Sequence, residues 1–227
     1  MRTTSCTEHR LFALLAACLL VVCAQAQQAH AFGLLPSVNV VRELPKDWSL
    51  NGRVEARERL LEEGWAPRHV LTDLGLLGAR KLGIGTTVTA GYQLRLARGE
   101  QAHRTLQQLA VVRRLARFRL AHRVATDQTW TGREPVVLRV RYRISAEVPL
   151  TGTTVDPNEG YLKLNNEYLA VAQDEERGGE VRLAVFLGRV LRPGRKLELG
   201  LEHRAFTSSV TTPVHRTWLG VNYYVSF

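Results

Sequence analysis

From Leu82 to Leu96 the chain alternates strictly: Leu82, Ile84, Thr86, Val88, Ala90, Tyr92, Leu94 and Leu96 on one side, against Lys81, Gly83, Gly85, Thr87, Thr89, Gly91, Gln93 and Arg95 on the other. A period of two held this long excludes a helix, which repeats every 3.6 residues and would scatter these apolar side chains around its cylinder. The same alternation starts at Trp48, with Leu50, Gly52, Val54 and Ala56 opposed to Ser49, Asn51, Arg53, Glu55 and Arg57. It sharpens at Ala116–Arg123 and at Val136–Ser145, where the side opposite the apolar one carries Arg117, Arg119, Ala121 and Arg123 in the first run and Arg139, Arg141 and Arg143 in the second. Further strands are predicted near 68–78, 103–113, 160–171, 180–190, 196–205 and 215–227, ten in all, each near the ~9–11 residues of a tilted membrane strand.

The ends say where such a sheet belongs. Arg2 and Arg10 precede an apolar run from Leu11 to Val22, and Ala24-Gln25-Ala26 closes it with small residues. This is the three-part layout of a secretory signal, and the run is too short for the ~20 residues of a spanning helix. We expect 1–26 to be a cleaved signal peptide, 27–46 a short periplasmic lead, and 47–227 a barrel. Leu15-Ala16-Ala17-Cys18 resembles a lipobox, but Leu19 to Val22 give it an apolar continuation where a lipoprotein has a polar one. Cys6, Cys18 and Cys23 all lie in the leader. The mature chain therefore offers no disulfide framework, thiolate nucleophile or Cys-ligated zinc.

Cleavage after Ala26 removes Arg2, Arg10 and Glu8 and leaves +9 of the formal +10. A basic balance can signal nucleic acid, but an exported chain meets outer-membrane lipid and lipopolysaccharide instead, so no nucleic-acid partner is expected. The arginines sit in the alternating pattern, which reads as a charged interior: Arg117, Arg119, Arg139, Arg141, Arg143 and Arg182, with Glu167 among them. Glu55, Asp73, Glu198 and Glu202 are further expected counter-charges. A connection centred near residue 154 would set Arg141 opposite Glu167. A soluble sandwich would alternate too, but the leader and the C-terminus favour an antiparallel up-and-down transmembrane β-barrel of about ten strands, with eight to twelve possible. Connections at 78–81, 113–116 and 192–195 read as tight. Those at 59–68, 97–102, 125–134, 172–179 and 206–214 read as longer, and 147–159 breaks the short side.

Counting back from Phe227, alternate residues are Val225, Tyr223, Val221 and Leu219. This resembles the closing strand of bacterial outer-membrane proteins, a terminal Phe with an aromatic four residues before it. The resemblance implies that Tyr223, Val225 and Phe227 are read by the barrel-assembly machinery. The chain also resembles a bacterial family known as domain of unknown function 2490. The matching motifs, in order, are Trp48 with Asn51, His103-Arg104 followed by Gln107-Gln108, Arg139 to Arg143 with Tyr142, Tyr161 with Asn166-Glu167, and the late aromatic strand. The 147–159 connection and the high arginine content depart from it. The resemblance implies an outer-membrane-type barrel without a known activity.

No cofactor or metal signature stands out. A lipid-modifying enzyme would need a nucleophile and base; the available groups are His69, His103, His122, His203 and His215, with Ser208 and Ser209 near the last. None has a diagnostic spacing, so a structural or binding barrel with an Arg/Glu-filled lumen is favoured, ahead of a narrow anion-preferring pore and of a lipid-modifying enzyme. Gly83 and Gly85 read as inward small residues beside Thr87, Thr89 and Gly91, and Trp65 and Trp130 as loop aromatics.

Overall fold

A computed structural model describes residues 30–62, 64–208 and 214–227; the expected signal peptide lies outside them. The described residues form eleven strands and no helix: β1 (His30–Leu44), β2 (Trp48–Leu61), β3 (Trp65–Gly83), β4 (Thr86–Ala97), β5 (Glu100–Leu115), β6 (Phe118–Thr131), β7 (Val137–Pro149), β8 (Gly160–Gln173), β9 (Glu176–Arg192), β10 (Arg195–Ser208) and β11 (Val214–Ser226). Each pairs with its sequence neighbours, and β1 closes the barrel against β11.

The ten expected strands are β2 to β11, antiparallel throughout. The eleventh, β1, comes from the stretch expected to be a lead, and eleven lies within the expected range of eight to twelve. The chain reverses at Pro45–Asp47, where Lys46 and Asp47 both take positive φ (60° and 63°) as a tight primed hairpin turn requires. That reversal runs β1 opposite to β2, so on reaching β11 it can only pair parallel, from His30↔His215 to Val41↔Ser226. The Glu43 N–H donates to the Phe227 carbonyl and the Phe227 N–H donates to the Val41 carbonyl, each at 3.0 Å, and these bonds carry the seam to the last residue.

Several connections differ from expectation. Residues 78–81 lie inside β3, and the turn falls at Ile84–Gly85, with Gly85 at φ +74°. Gly85 is thus a turn residue, not an inward one. Trp65 opens β3, and Trp130 lies in β6, which runs on to Thr131. Most of the described connections at both ends are tight; 150–159 remains long, at the same end as the C-terminus, and the expected 206–214 connection lies largely outside the described residues.

The polarity of the wall is inverted relative to a soluble domain. Outward positions carry half-exposed apolar residues on nearly every strand, among them Val54, Leu76, Val140, Leu187, Leu199 and Leu201. Inward positions hold the fully buried large side chains, Tyr161, Glu167, Glu198 and Asp127. One outward patch is polar: Thr105 and Gln107 on β5 hydrogen-bond Gln128 and Thr126 on β6.

Candidate functional site

The inward side chains fall in register rows, because every other residue of each strand faces the interior and neighbouring strands are pinned by the ladder. One row crosses β6 to β11: Arg123, Arg143, Glu167, Arg182, Arg204 and Arg216, each opposite the next. Five arginines share it with one carboxylate. A second row crosses the other side: Arg95, Asp73, Glu55, Ser37, Asn222 and Glu198. Here three carboxylates share the row with one arginine.

Glu167 is 1% exposed and holds three guanidiniums. Its Oε2 accepts from Arg123 Nη2 at 2.8 Å and from Arg143 Nε at 2.7 Å, and its Oε1 from Arg182 Nη1 at 3.1 Å. Arg182 also donates to Glu180 at 2.6 Å. One step along the wall, fully buried Asp127 meets Arg139 at 2.8 Å, Arg104 at 3.3 Å and Arg141. Thr129 completes this group, accepting from Arg104 Nε and Arg139 Nη1. Across the interior, Arg95 makes a bidentate pair with Asp73, both bonds 2.7 Å, while Glu55 holds Arg53 and Arg57. Glu198 takes Lys163 together with the hydroxyls of Tyr161 and Tyr224, each 2.9 Å away. Glu202 pairs with Arg204. At the rim, a hydrogen bond from Arg59 holds the Glu62 carboxyl below the usual carboxylate range.

These groups surround a cavity of about 650 Å³. Aromatic side chains narrow the β8–β11 side, each laid over a glycine. Tyr161 covers Gly188, Phe186 covers Gly200 and Gly220, and Trp218 covers Gly33; a Cβ at any of these four would come within 2.7 Å of the ring or of backbone.

Of the residues predicted for the interior network, Arg139, Arg141, Arg143, Glu167 and Arg182 are brought together as described. Arg117 and Arg119 do not join them. Arg117 sits in the exposed turn after β5, and Arg119 reaches Glu147 at 3.0 Å beside a rim pocket of about 120 Å³. The partner expected to face Glu167 is also shifted: Arg143, not Arg141, is opposite it, and Arg141 serves Asp127. Asp127 is not singled out in the sequence, because 125–134 reads as a loop, and Arg104 is noted there only in the His103-Arg104 motif and not as an interior charge. Their parity with Arg123, Ala125 and Thr129, and with Gln108, was the available signal.

The six described histidines all face outward. His69 pairs with Glu58 at 2.6 Å, His103 with the Tyr92 hydroxyl, and His122 with the Tyr142 hydroxyl at 2.8 Å. His215 meets His203 at 3.3 Å, and Thr217 bridges His203 and His30. Ser209 lies outside the described residues. No cluster of histidine and carboxylate ligands suited to a metal occurs among the described residues. At the C-terminus Tyr223 and Val225 point outward, and Phe227 is 72% exposed.

The family described as "Protein of unknown function (DUF2490)" matches residues 32–215, from the third residue of β1 into β11. No curated protein and no solved structure matches the chain.

Proposed function

The chain belongs to the DUF2490 family of proteins of unknown function, and from that premise and the barrel's inverted polarity we propose that it is an outer-membrane β-barrel protein with a structural or binding role and an ion-paired interior. The observation that carries the reading is the wall: closed, without a free edge, apolar outward and charged inward. Water would disfavour such an exterior, whereas hydrocarbon demands both features, since no backbone group can be left unpaired there. Aromatics mark both ends of the outer face, Trp48, Phe118 and Phe227 at one and Phe32 and Trp130 at the other, the usual depth of headgroup girdles. The outward Gln and Thr side chains hydrogen-bond one another, which lowers the cost of placing them against lipid. On this reading residues 1–26 are a leader removed on export, and the Tyr223–Phe227 strand engages the barrel-assembly machinery.

The protein is expected to fractionate with outer membranes and to migrate faster on gels unboiled than boiled, because a closed barrel resists detergent until heated. Recovery in the soluble periplasmic fraction, with one mobility in both states, would overturn the membrane reading.

A second reading, a narrow anion-preferring pore, is favoured by the cavity and its charge. Eleven arginines and Lys163 line it, against Glu55, Asp73, Glu180, Glu198 and Glu202 on its surface and Asp127 and Glu167 behind them.

A further inference from the structure

The interior ion pairs are not balanced locally, and the imbalance has an address. On the β5–β9 wall six arginines, Arg104, Arg123, Arg139, Arg141, Arg143 and Arg182, converge on three carboxylates, Asp127, Glu167 and Glu180. Within that wall Arg123 and Arg143 are directly opposed across β6 and β7, both pointing inward. Like charges in that relation destabilise a sheet. They share a single acceptor atom, Oε2 of Glu167. One oxygen cannot use two guanidiniums fully: Arg143 gives it only Nε and Arg123 only one Nη2, so most of their donors are left for another acceptor. Arg123 Nε is buried without a hydrogen-bond partner, and so is the Nε of neighbouring Arg141. The side chains of Arg123 and Arg143 are also the more exposed, each 27% against 15–19% for Arg139, Arg141 and Arg182.

We propose that Arg123 and Arg143, with Arg141 beside them, form a binding site for a small multiply charged oxyanion of the phosphate or phosphate-ester class, held on the inner wall of the barrel. A tetrahedral dianion supplies what the wall lacks: several acceptor oxygens for forked donors and enough charge to offset the local excess. The ligand is a solute reaching the cavity. Lipid phosphates meet the outer face and the rims, away from this row. The inference deepens the binding role proposed above, but the site itself needs only the barrel interior.

Calorimetric titration of the full-length barrel in neutral detergent, without added lipid, tests it with inorganic phosphate as the probe and chloride at equal ionic strength as the reference. Phosphate should bind saturably where chloride does not. Arg123→Gln combined with Arg143→Gln should weaken binding roughly tenfold or more, while Arg117→Gln, at the exposed turn, should leave it unchanged. Single Arg123→Lys and Arg143→Lys variants keep the charge but lose the fork, and each should weaken binding even where the double variant fails to fold. Equal response to phosphate and chloride, or undiminished binding in folded Gln and Lys variants, would overturn the site. The two readings fail separately. A buffer-soluble protein that binds phosphate through Arg143 keeps the site and loses the membrane. A heat-modifiable outer-membrane barrel indifferent to phosphate does the reverse.

Discussion

At the scale of single residues, the interior charges were legible as a set but not as pairs. Parity put Arg139, Arg141, Arg143, Glu167 and Arg182 on inward faces, and they are inward. Which arginine faces Glu167 depends on the centre of the β7–β8 hairpin, and 150–159 is long enough that no turn chemistry fixes it. The observed register, from Pro149↔Tyr161 to Val137↔Gln173, centres one residue later than assumed and moves the partner by two, from Arg141 to Arg143. With the shift, Glu167 holds three arginines, Arg123, Arg143 and Arg182. Removing its charge leaves buried guanidiniums uncompensated, which typically costs ~3–5 kcal/mol. Glu167→Gln should therefore lower the urea midpoint of the micelle-folded barrel markedly. Glu176→Gln, exposed at the start of β9, should leave the midpoint within error. Coinciding midpoints would show a wet interior in which these pairs contribute little.

At the scale of elements, β2 to β11 could be read because each sets large apolar residues against charges. β1 could not. Its inner face is Ala31, Gly33, Leu35, Ser37 and Asn39, too small and mixed to contrast with Phe32, Leu34, Val38 and Val40 outside. Pro36 demotes the run further, and the β1–β2 ladder does skip Leu35 and Pro36. What the sequence could not display is that small residues are needed there, because Trp218 of β11 fills the space inside the seam. A Cβ on Gly33 would lie 2.3 Å from the Glu58 carbonyl oxygen and 2.7 Å from the Trp218 ring. Neither can yield cheaply, the first being backbone and the second a ring 3% exposed. Gly33→Ala should cost ~1–3 kcal/mol in unfolding experiments, the usual range for overpacking. Gly52→Ala on β2, whose added Cβ meets nothing within 4 Å, should stay within ~0.5 kcal/mol. Equal losses would mean that β1 is not seated against β11 through Trp218.

At the scale of the whole molecule, closure and inverted polarity together set what can pass through the barrel. Eleven strands lie just above the eight whose interior side chains fill, and well below the 16–18 that leave an aqueous channel. The interior holds space, but paired arginines reach into it from several walls, and Tyr161, Phe186 and Trp218 occupy the β8–β11 side. Any path is therefore short of room and lined by excess positive charge. In a planar bilayer at high salt the purified protein should give currents far below those of a sixteen-strand porin. Under a potassium chloride gradient, the reversal potential of whatever current flows should lie on the chloride side. Replacing Arg123 and Arg143 by Gln removes two of the most open charges, so it should move that potential toward zero, while Arg117→Gln, outside the cavity lining, should not move it. Porin-sized currents would mean that the paired side chains do not obstruct the interior. A preference for potassium would mean that the carboxylates of the Asp73–Glu55–Glu198 row, rather than the arginine row opposite them, set the potential along the path.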